Sequence, residues 1–354
     1  MGRVILFTAF VEGTGENSLA NRNFIKPLAE RLFSLVDVRD IIKGDVQRNS
    51  IVLPVIRPGS YTGIPGLLLI LFQSLLPLSI FTVLMRLHGI TIIARGTLSG
   101  FLISIFPWSN YKLVLPGIYS LEAPVYGGND HYINRLIEMR AVKNAKKVFV
   151  PGNNIKRYIK DKFGVDSEVV YIPAEPYPVK KKIKKFTPVY LGTIPDEKTL
   201  HSTIMVFQRI KKRIKESKPV VLSQFVEEDF KRELEREGIE VFSMNHEELK
   251  NFLPSCHVGL VMEGENPLSP YLITTKFMDY ISAGLPVIVH KGMEELCSIV
   301  NEHDLGVCVD PKHFPYTAMD KILSLVNEGG RIREVSWKLF SEERFRNKIL
   351  GIPT

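Results

Sequence analysis

Lys276 and Asp279 stand three positions apart in the stretch TTKFMDYIS. That spacing puts an ammonium and a carboxylate on one face of a helix. Phe277, Met278 and Ile281 share an apolar face of the same helix. Ala283-Gly284 ends it, because glycine favours the position just past a helix C-terminus. The β-branched run that follows, LPVIV, reads as a buried strand. The polar pair has two readings. It is a surface ion pair, or it grips an anionic, hydroxyl-rich ligand, with the lysine for phosphate and the carboxylate to accept from a diol.

Other polar residues follow predicted strands, and in parallel α/β sheets ligands bind off the strand carboxyl ends. Gly192, Thr193 and Lys198 come after PVYL, and Glu263 and Glu265 come after HVGLVM. In the first half Glu122 follows LVLPG, His88 and Arg95 flank ITIIAR, and a glycine-containing loop, GTGENS, follows VILFTAF. Singly, each reads as a solvated residue. Jointly, those of the second half converge on one sheet edge, which favours a binding site. Neither G-x-G-x-x-G nor G-x-x-x-x-G-K-[ST] occurs, so the dinucleotide and P-loop fingerprints are missing.

The elements that would position these residues alternate strand and helix twice along the chain. The first series runs VILFTAF, an amphipathic helix over 24–33, a strand at 36–38, VLPVI, a long apolar helix, ITIIAR, helical GTLSGFLISIF, YKLVLPG, helical NRLIEMRAVKNA, KKVFVPG, helical NNIKRYIKDKFG and VVYIP. The stretch PAEPYPVKKKIKKFTP, rich in proline and lysine, reads as an exposed linker. A second series then runs from PVYLG to GVCVD and ends in one helix, RIREVSWKLFSEERFRNKIL. Helices between strands imply parallel pairing. The expected fold class is α/β, with two Rossmann-like doubly wound domains: 1–173, a linker at 174–187, 188–335, and a trailing helix at 336–354.

Composition sets the frame. The 354 residues suit two domains, with a net charge of +8 that favours anionic partners. The lysine run is short and carries no interleaved aromatics, which argues against nucleic acid. Three cysteines, Cys256, Cys297 and Cys308, without a C-x-x-C, predict neither a disulfide framework nor a zinc site and fit a reducing compartment. The N-terminal MGRVILFTAF reads as a first buried strand rather than a secretory signal. Residues 67–85, LLLILFQSLLPLSIFTVLM, approach the length of a bilayer span, and Pro77 would kink a helix there. A span would put two parts of one sheet on opposite sides of a membrane. The expectation is therefore a helix that dips one face into a leaflet.

The C-terminal half resembles a retaining glycosyltransferase of family 4, with the GT-B fold. YLGTIPDEK is similar to the family's strand–Gly–loop–Lys element, NHEELKNFLPSCHVGLVM to its helix-then-strand element, and TTKFMDYISAGLPVIV, the most specific, to its Lys–x–x–acid–Tyr…Ala-Gly-x-Pro-Val-Ile block. The N-terminal half matches more loosely, through IIARGTLSGFL, LVLPGIYSLE and RLIEMRAVKNAKKVFVPGNNIKRYI. The resemblance implies two domains facing a cleft, a C-terminal helix that crosses back, and a nucleotide-sugar bound by the second domain. Lys198 and Lys276 would then meet the diphosphate, and Asp279 the ribose hydroxyls. Gly192, Thr193, Glu263 and Glu265 complete the donor side, and Glu122, His88 and Arg95 are the catalytic candidates. Thr193 stands where the family often has arginine, Tyr271 where it has the first of two glutamates, and Asp279 where it has the second.

The implied reaction moves a sugar to a lipid-linked or polysaccharide acceptor at the cytoplasmic membrane face. It takes no metal or cofactor. An inactive glycosyltransferase-like membrane partner and a nucleotide-sugar epimerase of the same fold stand as alternatives.

Overall fold

The structure is a computed structural model that describes residues 4–9, 32–37, 50–55, 64–125, 131–263 and 266–352. The chain divides into two units, residues 1–173 with 342–354, and residues 174–341. In the first unit the elements are β1 (Val4–Ala9), β2 (Leu32–Asp37), β3 (Ser50–Val55), α1 (Ile64–Leu87), β4 (Thr91–Arg95), α2 (Thr97–Ser104), β5 (Tyr111–Val114), α3 (Tyr119–Val125), α4 (His131–Asn144), β6 (Lys147–Val150), α5 (Asn153–Phe163) and β7 (Glu168–Val169). The second holds β8 (Pro188–Leu191), α6 (Glu197–Arg213), β9 (Val220–Leu222), α7 (Glu228–Arg236), β10 (Glu240–Phe242), α8 (His246–Phe252), β11 (Val258–Val261), α9 (Thr275–Ser282), β12 (Val287–His290), α10 (Glu294–Glu302), β13 (Gly306–Val309), α11 (Tyr316–Leu325) and α12 (Gly329–Phe340). The chain then returns to the first unit as α13 (Glu342–Leu350).

Both sheets are parallel throughout, in the orders β3-β2-β1-β4-β5-β6-β7 and β10-β9-β8-β11-β12-β13. This is the expected pair of doubly wound α/β domains. A parallel sheet needs cover on both faces, which is why VGLV is apolar throughout, VIVH is apolar up to its closing His290, and both are wholly buried. Local signals agree with the ends of several helices. Gly164 adopts a left-handed conformation and closes α5, and Asn245 and Glu248 form a reciprocal capping box on α8.

Four expectations change. Residues 24–31 lie outside the described residues, but Leu32 and Phe33 open a strand instead of closing a helix. β2 is hydrogen-bonded along its length to β1 and β3, and that pairing outweighs the local helical period. The single C-terminal helix is two, parted at an extended Ser341. Phe340 packs edge-on against Phe277 in the second unit, whereas Phe345 and Ile349 join Leu6, Ile93, Val114 and Phe149 in the first. The 174–187 stretch is no free linker. Tyr177 is buried, Ile183 N–H donates to Ser255 O, and Lys182 donates to Pro254 O and Cys256 O. Finally, Cys297 and Cys308 are joined as a disulfide, with Cα atoms 5.8 Å apart, and Cys256 is buried and free. The pairing of β13 with β12, and of α10 with both, brings the two together despite the odd cysteine count.

The apolar segment is the helix α1, which contains Pro77 and is long and apolar enough, by length and composition, to cross a membrane. Ile70, Ser74, Leu78, Phe81 and Thr82 form one buried stripe at helical spacing, and Phe81 stacks on Phe33 with centroids 4.2 Å apart. The other faces stay bare: Phe72 is 84% and Leu76 72% exposed, with Leu68, Ile80 and Leu87 also in the open.

Candidate functional site

In the second unit the chain leaves β8 for β9 on one side and later returns to β11 on the other. That makes the β8–β11 boundary the sheet's topological switch point. Ligand crevices of such sheets open there, at the strand carboxyl ends. Gly192 leaves β8 with a φ of +95°, a backbone region that favours glycine. A Cβ on Gly192 would lie 3.6 Å from Lys276 Cε, so the lysine reaches over this turn. Lys276 Nζ is 2.6 Å from Glu263 Oε1, donates to Tyr190 Oη at 3.0 Å, and lies 4.7 Å from the centre of the Tyr190 ring. Tyr190 Oη donates in turn to Thr193 O at 3.0 Å. Burial opposes the charge on Lys276, but Tyr190 and Glu263 outweigh it and hold the pKa above the ordinary lysine value. The ammonium is a fixed cation.

Tyr280, which sequence reasoning missed, bridges the two strands at this switch point. The ladder between β8 and β11 ends at Tyr190 opposite Leu260. Beyond it the Tyr280 hydroxyl stands between the strands, accepting from Leu191 N–H at 2.6 Å and donating to Leu260 O at 3.2 Å. Its ring lies directly on Gly259, where a Cβ would overlap ring carbons. A glycine inside an otherwise apolar strand signals such a close approach. Thr274 caps α9 by accepting from Phe277 N–H, which leaves Lys276 in the first turn.

The remaining donor-side candidates are less gathered. Asp279 is half-buried and accepts from Tyr177 Oη at 3.0 Å, so the 174–187 stretch helps to orient it. Lys198 is exposed in the first turn of α6, where helix N–H groups also favour an anion, and Asp196 caps that helix. Thr193 is exposed, Tyr271 is half-buried in a short turn, and Glu265 lies outside the described residues.

The first sheet has its switch point between β1 and β4. Ala9 N–H there donates to Ser99 Oγ at 2.8 Å, and Arg95 ends β4 at the same edge. Burial lowers the Arg95 pKa to about 10. Glu122, in the first turn of α3, folds over Gly117, and burial raises its pKa. His88 does not belong with them. It is exposed in the turn before β4, at the amino end of that strand, on the opposite edge from Arg95. The GTGENS loop lies outside the described residues.

Glu138 is the residue missed in this unit. It is fully buried on α4, accepts from Tyr119 N–H at 3.0 Å and from the Ser120 hydroxyl at 2.6 Å, and so holds the start of α3. Burial raises its pKa to about 7, with the nearby Glu122 charge adding and the Ser120 bond opposing. The signal was an acid among Ile137, Ala141 and Val142 on the apolar face of its helix.

The sequence matches no protein-family model and no curated protein. Among solved structures the fold is similar to a glycosyltransferase from Rickettsia africae ESF-5, with a TM-score of 0.66 and 12% identity over 99% of this chain and 97% of that one. It is also similar to S. aureus TarM in complex with fondaparinux, α-GlcNAc-glycerol and UDP, with a TM-score of 0.56 and 14% identity over 74% of this chain and 55% of that one. A third similar structure is a candidate UDP-N-acetylglucosamine 2-epimerase from Listeria monocytogenes, with a TM-score of 0.57 and 10% identity over 99% and 95%. These likenesses establish the fold, the two Rossmann-like domains of GT-B proteins.

Proposed function

We propose that the protein is a retaining glycosyltransferase of family 4 type that takes its sugar from a nucleotide-sugar. The observation that carries the reading is Lys276, held charged by Glu263 and Tyr190 over Gly192 at the switch point of the second sheet. A diphosphate leaving group gains negative charge as the glycosidic bond breaks, and a preorganised cation beside helix N–H groups stabilises that charge. Lys276 and Lys198 supply the cations in this reading, and no metal or cofactor is called for. Asp279 accepts from the ribose diol. Arg95 and Glu122 serve the acceptor side. TarM, whose complex contains UDP and a sugar–glycerol, shares the fold and supports this class of donor and acceptor.

The acceptor in this reading is lipid-linked or polysaccharide, and the enzyme works peripherally at the cytoplasmic membrane face. Its support is α1, whose bare apolar faces suit insertion into one leaflet while the buried stripe keeps the helix on its sheet. A second reading, nucleotide-sugar epimerisation, is favoured by the full-length likeness to the Listeria protein. Product analysis without any acceptor separates the two: an epimerase turns over, a transferase does not.

The direct test is a thermal-shift panel of UDP, GDP, ADP, CDP and dTDP with their common sugars, since a ligand of the native state raises the melting temperature. One clear hit names the donor. No shift at millimolar ligand would overturn the donor site and favour an inactive partner.

A further inference from the structure

The lysine run 180–185 has become a fixed ribbon. Lys182 points inward, donating to Pro254 O at 3.2 Å and Cys256 O at 2.6 Å, and burial lowers its pKa to about 8. Ile183 N–H donates to Ser255 O, and Thr187 N–H donates to His257 Nδ1. With these anchors set, Lys180, Lys181, Lys184 and Lys185 all face solvent. A second basic segment lies alongside, because Lys218 N–H donates to Phe186 O, and this segment carries the exposed Lys215. Nearby cations are neutralised: Arg213 pairs with Asp320 and Lys218 with Glu240. No carboxylate among the described residues lies within ion-pair distance of Lys180, Lys181, Lys184, Lys185 or Lys215.

We propose that this ribbon is a docking surface for an anionic bilayer. It rests on the membrane half of the reading above and adds a second, electrostatic contact to the apolar one of α1. Position favours it. The ribbon runs into Pro188, the first residue of β8, so it lies at the amino end of the sheet. The Lys276 crevice opens at the carboxyl end, and a membrane on the ribbon leaves it unobstructed. Charge favours it too. Unpaired lysines on a rigid backbone lose little on meeting a surface of lipid phosphates, and each is worth roughly fivefold in affinity near an anionic leaflet. A soluble polyanion would exploit the same charge. The apolar face of α1 in the same chain makes the bilayer the better occupant.

The test is co-flotation of the full chain with vesicles of phosphatidylcholine alone or with phosphatidylglycerol, at low and high salt. The variant Lys180→Gln/Lys181→Gln/Lys184→Gln/Lys185→Gln changes only exposed side chains, and its melting curve checks the fold. It should bind neutral vesicles like the wild type and lose about 10²-fold or more on anionic ones, together with the salt dependence. Phe72→Asp/Leu76→Asp should instead lose neutral-vesicle binding. A ribbon variant with wild-type affinity for anionic vesicles overturns the ribbon and leaves the α1 contact standing. A wild type that floats with neither vesicle overturns both. Capture by heparin without binding to anionic vesicles assigns the charge to a soluble polyanion and also overturns the proposal.

Discussion

Each sheet has one switch point with a cation close beside it, Lys276 in the second and Arg95 in the first, but these two cations are treated in opposite ways. Lys276 is given a carboxylate at 2.6 Å and a tyrosine hydroxyl at 3.0 Å, and its charge is strengthened. Arg95 is half-buried at the end of β4, and burial weakens its hold on the proton. The acids differ as well. Glu263 is tied to its lysine, whereas Glu122 and Glu138 are pushed upward by burial, Glu138 to about 7. One edge is built around a permanent charge, which in the proposed function meets the donor diphosphate. The other gathers carboxyls whose protonated form burial favours, which in the proposed function suits a hydroxyl acceptor.

The hardest test of this contrast displaces the Tyr280 ring from between β8 and β11. Gly259→Val would force a Cβ into the Tyr280 ring, and overpacking of this kind costs about 3 kcal/mol. Hydrogen exchange should speed up in β8, β11 and α9 and stay unchanged in β4–β6. Loss of protection in both units together would mean that they are not independent. Next comes the cation itself. Lys276→Ala should weaken nucleotide-sugar binding by about 10²-fold, roughly the value of a charged hydrogen bond left unmade. Lys198→Ala, exposed, should cost only about fivefold. Arg95→Ala should lower turnover and spare donor affinity. Calorimetry on the three variants decides, and normal donor affinity in both lysine variants removes the assigned site.

The contrast also has a pH signature. The folded pKa of Glu138 lies above its unfolded value, so the folded state holds the extra proton between about pH 4.5 and 7. Stability is therefore lost as pH rises through that window. Glu138→Gln removes the titration, and from pH 5 to 7 the variant should gain on the wild type by about 2 kcal/mol. His257, in the second unit, is the mirror case. Burial lowers its pKa to about 4, so stability rises with pH from about 4 to 6.5. Melting curves of Glu138→Gln and His257→Gln at pH 5, 6 and 7 should diverge from the wild type in opposite directions. Parallel shifts would break the comparison.

How much of this was legible depends on where the information sits. Much of the strand–helix alternation lies in the sequence, because strands such as VGLV are apolar runs and helices such as α5 and α8 carry a glycine or a side-chain cap at an end. The Lys276–Asp279 helix was legible because i, i+3 spacing fixes a shared face. Partners from distant segments were not. Nothing local to Lys276 names Glu263 and Tyr190, 13 and 86 positions away, and nothing local to Asp279 names Tyr177. His88 was misplaced because position near a strand says nothing about which end of it the residue occupies. The ribbon at 180–185 was misread because a run of lysines does not show that its third member turns inward.

The C-terminal helix pair gives the smallest and most pointed test of the boundary between the units. α12 is held by the second unit, where Ser336 and Ser282 hydroxyls lie 2.7 Å apart and Phe340 meets Phe277. α13 is held by the first, where Lys112 donates to Ile349 O at 2.6 Å and Lys348 to Val169 O at 3.1 Å. Lys112→Met removes one of these bonds and keeps the apolar stem, at a cost of about 1 kcal/mol. Amide exchange should rise severalfold in α13 and stay at its wild-type rate in α12. If both helices loosen together, Ser341 is not where the chain changes units, and the two pH slopes above would have to be read as properties of one cooperative body.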